Sequence, residues 1–153
     1  MKNNTYFLNM KQVLTAYWND RKAAEKRKDA AAEKYGWDAP EFMEAYDAYH
    51  AMRNPYKDGT LKAYRAWQET VENDDEAFVL TDFFWDNEIH DFVEAMKAAG
   101  ITEFIYTSQS TGLMDDLHGL TAEGCSLIEF CVITREGIFG STKEIKGIRF
   151  AVS

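Results

Sequence analysis

Three small constellations in the sequence have residue types and spacings that could do chemistry. Glu144-Ile145-Lys146 lies on a predicted strand and Glu129 on the preceding one, an acid followed by E-x-K. In that pattern two carboxylates hold a divalent metal and the lysine stabilises an attacking water, which is the chemistry of a metal-dependent nuclease. His90 has Asp86 and Glu94 four residues to either side, so a helix sets all three on one face. That face could ligate a divalent ion only if another element closed it; a solvated histidine between two carboxylates is the simpler account. Ser108-Gln109-Ser110-Thr111-Gly112 follows a strand and precedes a helix, where backbone amides can cradle an anion. It lacks a phosphate-loop or dinucleotide glycine pattern, and Asp115 and Asp116 follow it at once, so helix capping by Ser110 or Thr111 is the plainer role.

Charge gives a stronger signal than any of these. The 153 residues carry 26 acidic and 17 basic side chains, a net charge of −9. Residues 1–73 hold 12 basic and 11 acidic groups, whereas 74–153 hold 5 basic and 15 acidic groups, a net −10. No Lys or Arg occurs between Arg65 and Lys97. Such a field repels a phosphate backbone and attracts basic surfaces, so nucleic acid is not the expected direct ligand and a protein with a basic surface is. The expected contact set is Asp74, Asp75, Glu76, Asp82, Asp86, Glu88 and Asp91. A second contact is expected from the basic stretch Arg21, Lys22, Lys26, Arg27 and Lys28. Acids interleave with those cations at Glu25 and Asp29, so i,i+4 pairing is expected to neutralise much of that helix.

The elements that must position these residues follow from periodicity. Phe7, Met10, Leu14, Tyr17 and Trp18 recur at helical spacing from Thr5, and the alanine-rich continuation to Lys34 has high helix propensity, ending at Gly36. Asp38-Ala39-Pro40-Glu41 reads as the start of a second helix with Phe42, Ala45, Tyr46, Tyr49 and Met52 on its apolar face. A third, capped by Asp58 or Thr60, carries Leu61, Tyr64, Trp67 or Gln68, and Val71. Near Asp75 the period changes. Ala77–Phe83 reads as a strand, the segment from Asp86 to Gly100 as a helix, and Ile101–Thr107 as a second strand, together a β-α-β unit. A short helix from Leu113 ends at Gly119 or Gly124, and Cys125–Thr134 and Ile145–Val152 form an antiparallel pair. The expected fold is therefore α+β: a three-helix segment over 1–73, then a small mixed α/β sheet over 74–153, forming one cooperative unit.

Cys125 and Cys131 fall outside zinc and redox spacings, and equal parity on one strand would set them on one face too far apart to bridge. They are expected to be thiols in a reducing compartment. No apolar run approaches the ~18 to 20 residues of a membrane span, so the expectation is a soluble cytoplasmic protein without a cofactor.

The segment from Trp85-Asp86-Asn87-Glu88 to Gly124-Cys125 carries F-V-E, A-G-I-x-E-F, Q-S-T and L-H-x-L. It resembles a block in small uncharacterised proteins carried by conjugative elements and prophages of gut bacteria. That resemblance implies a setting in which inhibitors of host defence are common, including anti-CRISPR proteins. The expectation it supports is a non-enzymatic binding protein that occupies the basic channel of an RNA-guided DNA nuclease. A regulatory or adaptor protein of the mobile element is the alternative, and the metal-dependent nuclease a second.

Overall fold

The computed structural model describes residues 1–85 and 87–153. Among these lie five α-helices and one four-stranded mixed sheet, in the order α1 (Thr5–Tyr35), α2 (Pro40–Ala51), α3 (Asp58–Glu72), β1 (Val79–Leu80), α4 (Ile89–Ala98), β2 (Glu103–Tyr106), α5 (Leu113–Ala122), β3 (Ser126–Glu136) and β4 (Thr142–Ala151). The fold is α+β. The chain divides into two compact units, one of Leu8–Pro55 and one of Met1–Phe7 with Tyr56–Ser153. The second unit groups α3 with the sheet, so the change of period near Asp75 marks a change of element type within one unit.

In the unit Leu8–Pro55, α1 ends where Gly36 takes φ 89°, a left-handed conformation that a side chain would oppose. Pro40 opens α2 with its φ already set for a helix. Ala39 occupies the cap position with no side-chain hydrogen bond, so the expected capping acceptor, Asp38, is not used. Phe42 is the buried anchor of α2 and meets Trp37 edge-on at 5.0 Å.

In the other unit the first residues of α1 are pinned by aromatic packing. Phe7 is fully buried and stacks on Trp67 of α3 at 5.4 Å, while the Trp67 indole donates to the Met1 carbonyl at 2.8 Å. The amphipathic α3 is capped by Lys57, without a side-chain bond from Asp58 or Thr60. Its Thr70 hydroxyl accepts the Val79 N–H at 3.0 Å, which fixes β1 beside the helix.

The sheet order is β1-β2-β4-β3, with β1 and β2 parallel and the other neighbours antiparallel. The β-α-β unit is present, but β1 is only two residues long where seven were expected. Lys62 of α3 supplies the reason: its ammonium takes Asp82 at 3.0 Å and also binds the Phe83 carbonyl, drawing the chain off the sheet. Gly100 at φ 71° closes α4, with Ile101 N–H donating to the Met96 carbonyl at 2.9 Å. Phe104 of β2 stacks on Phe150 of β4 and receives Phe92 of α4 edge-on, which forms the centre of the core.

The β3–β4 hairpin is longer than its sequence pattern, because Gly137, Phe139 at φ 59° and Gly140 at φ 74° make a tight reversal close to Glu136. Its ladder slips between Leu127 and Glu129, a β-bulge at Ile128. The bulge changes the parity of the strand, so Cys125 and Cys131 do not share a face as equal spacing suggested. Both are free thiols, and burial raises the pKa of each.

Gly59 lets the start of α3 touch the start of α4. A Cβ there would lie 2.2 Å from the Glu88 carbonyl oxygen and 2.9 Å from the Phe92 nitrogen, both backbone atoms. Gly59→Ala is therefore expected to destabilise the fold by about 1–3 kcal/mol through overpacking, read as a lower urea midpoint with an unchanged slope.

Candidate functional site

The register separates the residues of the E-x-K pattern. Glu144 pairs with Thr134 and Lys146 with Val132, whereas Glu129 pairs with Arg149. Alternation along β4 puts 144 and 146 on the face opposite 149, and Glu129 is engaged by Arg149 at 3.1 Å. The two carboxylates are thus not brought to one metal. His90 likewise turns away from its helix neighbours: its Nδ1 meets Glu123, beyond the end of α5, at 2.8 Å. Asp86 lies outside the described residues, and among those described no group of three or more His, Cys, Asp or Glu is placed to hold a metal ion.

The Ser108–Gly112 loop does not cap α5 as expected. Gly112 occupies the cap position with no side-chain bond, and the Ser110 carbonyl accepts the Leu113 N–H at 3.1 Å. The polar link is instead between Tyr106 and the buried Asp116, with the hydroxyl donating at 2.5 Å. Burial and the neighbouring carboxylate raise the Tyr106 pKa, so the hydroxyl stays a donor. A carboxylate at that helix start opposes an anion.

The acidic set is not one face. Glu88 is buried; its carboxylate meets the Lys62 ammonium at 3.1 Å and accepts the Trp85 N–H at 2.9 Å. Asp82 stays exposed but holds the same lysine at 3.0 Å. Asp91 stands 3.8 Å from Lys57. Asp75 is nine-tenths buried and accepts from Arg135 Nη2 at 2.7 Å, while Arg135 Nη1 reaches Glu69, also at 2.7 Å. Cations distant in sequence therefore neutralise the inner members. Asp74 and Glu76 remain exposed, with no ion pair among the described residues.

Those two carboxylates border a groove of about 430 Å³. Asn73–Ala77 form one side, Val132, Ile133 and Thr134 of the hairpin the other, and Val79, Ile105 and Arg149 complete the lining. Gly147 lets the hairpin lie against β2, since a Cβ there would fall 2.6 Å from Ile105 Cγ2. Asp74 adopts φ 52°, a left-handed turn that Asp tolerates better than most residues. The groove combines an acidic rim with an apolar wall, which suits a cationic and partly apolar surface better than an anion. Sequence reasoning named the rim but missed Arg135, Glu69 and Lys62. The available signal was the rarity of Arg135, one of five cations in a half with fifteen acids; Lys62 and Glu69 carried none.

In the unit Leu8–Pro55, Arg21 donates to the Tyr17 and Tyr49 hydroxyls at 3.2 and 3.3 Å. Arg21 and Lys28 both lie over the Tyr49 ring, at 4.8 and 4.5 Å from its centroid. The expected i,i+4 pairing does not form. Among the described residues the one ion pair of this stretch is Lys28–Asp29 at 3.9 Å. Lys22, Lys26 and Arg27 are exposed.

A family model described as a domain of unknown function, DUF7698, matches residues 62–152. The chain belongs to this family. No curated protein and no solved structure matches it. The DUF7698 region begins at Lys62 and includes every residue lining the groove, both partners of Arg135, and the His90–Glu123 pair, but neither α1 nor α2. No helix among the described residues is long and apolar enough to cross a membrane.

The His90–Glu123 contact joins α4 to the end of α5 in the DUF7698 region and makes a pH prediction. The hydrogen bond and charge of Glu123 raise the His90 pKa above its ordinary 6.5. The contact's stabilisation is thus fully present below about pH 6.5 and lost as pH rises through the raised value. Imidazole NMR titration should show the raised midpoint, and Glu123→Gln should return it towards the ordinary one.

Proposed function

We propose that the protein acts by binding rather than turnover, receiving a basic surface of a partner protein at the groove beside Asp74 and Glu76. The observation that carries this reading is the pair of exposed carboxylates, in no ion pair among the described residues, set against Val132 and Ile133 of the hairpin, while the groove's arginine, Arg149, is taken by Glu103 and Glu129. Exposed charges steer a partner over a Debye length of roughly 8 Å in physiological salt, and apolar contact slows its release. The net charge of −10 in residues 74–153 adds long-range attraction for a cationic surface. Lys22, Lys26 and Arg27 form a second, oppositely charged contact.

The partner class to which this chemistry is best matched is an RNA-guided DNA nuclease, whose guide and target channels are lined with positive charge. The resemblance of the Trp85–Cys125 block to mobile-element cargo supports the same choice. In this reading the protein inhibits host defence by occupying a channel that DNA would enter. Asp75 and Glu88 contribute through their internal ion pairs, not by touching the partner.

The reading is tested by target-DNA cleavage with a guide-loaded RNA-guided nuclease over a salt series. Asp74→Asn with Glu76→Gln removes both rim charges and suits the left-handed backbone at residue 74. Inhibition should weaken about tenfold at low salt, with the gap narrowing as salt rises, while the thermal melt stays cooperative. Equal inhibition by the variant at every salt concentration, or no binding of the nuclease by the wild-type chain, would contradict the proposal.

A further inference from the structure

The free edge of β3 is a second unpartnered feature of the same hairpin, adjoining the groove at Val132 and Thr134. This strand is outermost in the order β1-β2-β4-β3 and runs for 11 residues, so it presents a row of unpaired backbone groups about 36 Å long at ~3.3 Å per residue. Edge strands of stable monomers are blunted by proline, charge, bulges, brevity or cover. β3 contains no proline and no lysine; its bulge at Ile128 and its charges Glu129, Arg135 and Glu136 lie towards its two ends and leave the apolar run Phe130–Ile133 between them. Its apolar side chains are left in water: Phe130 is 77 % exposed and Val132 55 %, and Leu127 and Ile128 are about half exposed. At the hairpin tip Ile138 is 78 % exposed, and Phe139 is fully exposed although its φ of 59° is costly for a bulky residue.

We infer that two copies associate by antiparallel pairing of their β3 edges about a two-fold axis at Val132. Three properties of the strand argue for a second copy as occupant. The first is charge. Residues 74–125 carry twelve acids and one lysine, whereas residues 126–153 carry three acids and four basic residues, net +1. The hairpin is thus a part of this acidic chain where like copies can approach without strong repulsion.

The second is register. With the axis at Val132, residue 130 faces 134 of the other copy and residue 129 faces 135. Axes at 131 or 133 would each set two charged residues opposite apolar ones, Glu129 against Ile133 and Arg135 against Leu127, or Arg135 against Cys131 and Glu136 against Phe130, whereas the axis at 132 leaves only Glu136 against Ile128, at the bulge. The third is the tip. The same axis carries Ile138 and Phe139 of each copy to the level of 126 and 125 of the other, beside its exposed Leu127 and Ile128. One symmetric contact therefore covers both ends of the apolar surface and closes as an isologous dimer. Six exposed apolar side chains of each copy leave water together, and pairing satisfies the free backbone edge.

Sedimentation velocity of the full chain over about a hundredfold range of concentration tests this by mass action. The mass should rise from 17.6 kDa to twice that value and no further. Phe130→Lys and Phe139→Asp, which do not line the groove, should each weaken dimerisation about tenfold or more with an unchanged circular dichroism melt. A wild-type chain that stays monomeric overturns the inference. So does a dimer that persists undiminished in the folded double variant, because another face must then hold it, and so does open-ended assembly beyond two copies. Rim neutralisation at Asp74 and Glu76 should leave the dimer intact, so failure of the groove reading and failure of this one are separable.

Discussion

Arg135 is the side chain on which the DUF7698 region depends. The β3–β4 ladder continues past the end of β2: β2 pairs with residues 148–151, while β3 and β4 remain paired out to Glu136 and Thr142. A two-stranded ribbon of that kind is marginal by itself in water. Arg135 sits near its far end and spans from the hairpin to Glu69 on α3 and Asp75 just after it, with a planar guanidinium that satisfies two carboxylates at once. Removing one member of such a pair leaves a nearly buried charge uncompensated, which costs far more than the net contribution of the intact pair. The groove exists because this contact holds the hairpin opposite the Asn73–Ala77 segment.

A second buried cation plays a comparable part on the same face of α3, seven residues before Glu69. Lys62 collects Asp82, Glu88 and the Phe83 carbonyl, and Gly59 one turn earlier brings α3 against the backbone of α4. Between them, Lys62 and Arg135 divide the acidic segment into carboxylates that organise the fold and carboxylates that remain for solvent or a partner. Local net charge therefore overstates the acidic surface: Asp75 and Glu88 belong to the interior, Asp74 and Glu76 to the rim.

The α+β class, the β-α-β unit, the glycine stop of α4 and the antiparallel C-terminal pair were legible, because each rests on local periodicity or backbone conformation. What was not legible depends on partners distant in sequence. The short β1 follows from Lys62, some twenty residues away, and the Arg135 clamp spans about sixty. The bulge at Ile128 reverses a strand's faces without any glycine or proline to mark it. Capping also departed from the local pattern: Asp38, Ser110 and Thr111 are suitable acceptors, but Ala39 and Gly112 occupy the cap positions without a side-chain bond. For the site, the rim carboxylates were visible as charge; their separation from Asp75 and Glu88 was not.

The most direct measurement of this account is a double-mutant cycle between Arg135 and Asp75, using Arg135→Met, Asp75→Asn and the double variant in chemical denaturation. A nearly buried, charge-assisted pair that holds the hairpin in place should show a coupling of about 1.5–3 kcal/mol. A coupling within about 0.3 kcal/mol of zero, the scatter expected of independent sites, would contradict the claim that Arg135 holds the hairpin wall of the groove in place.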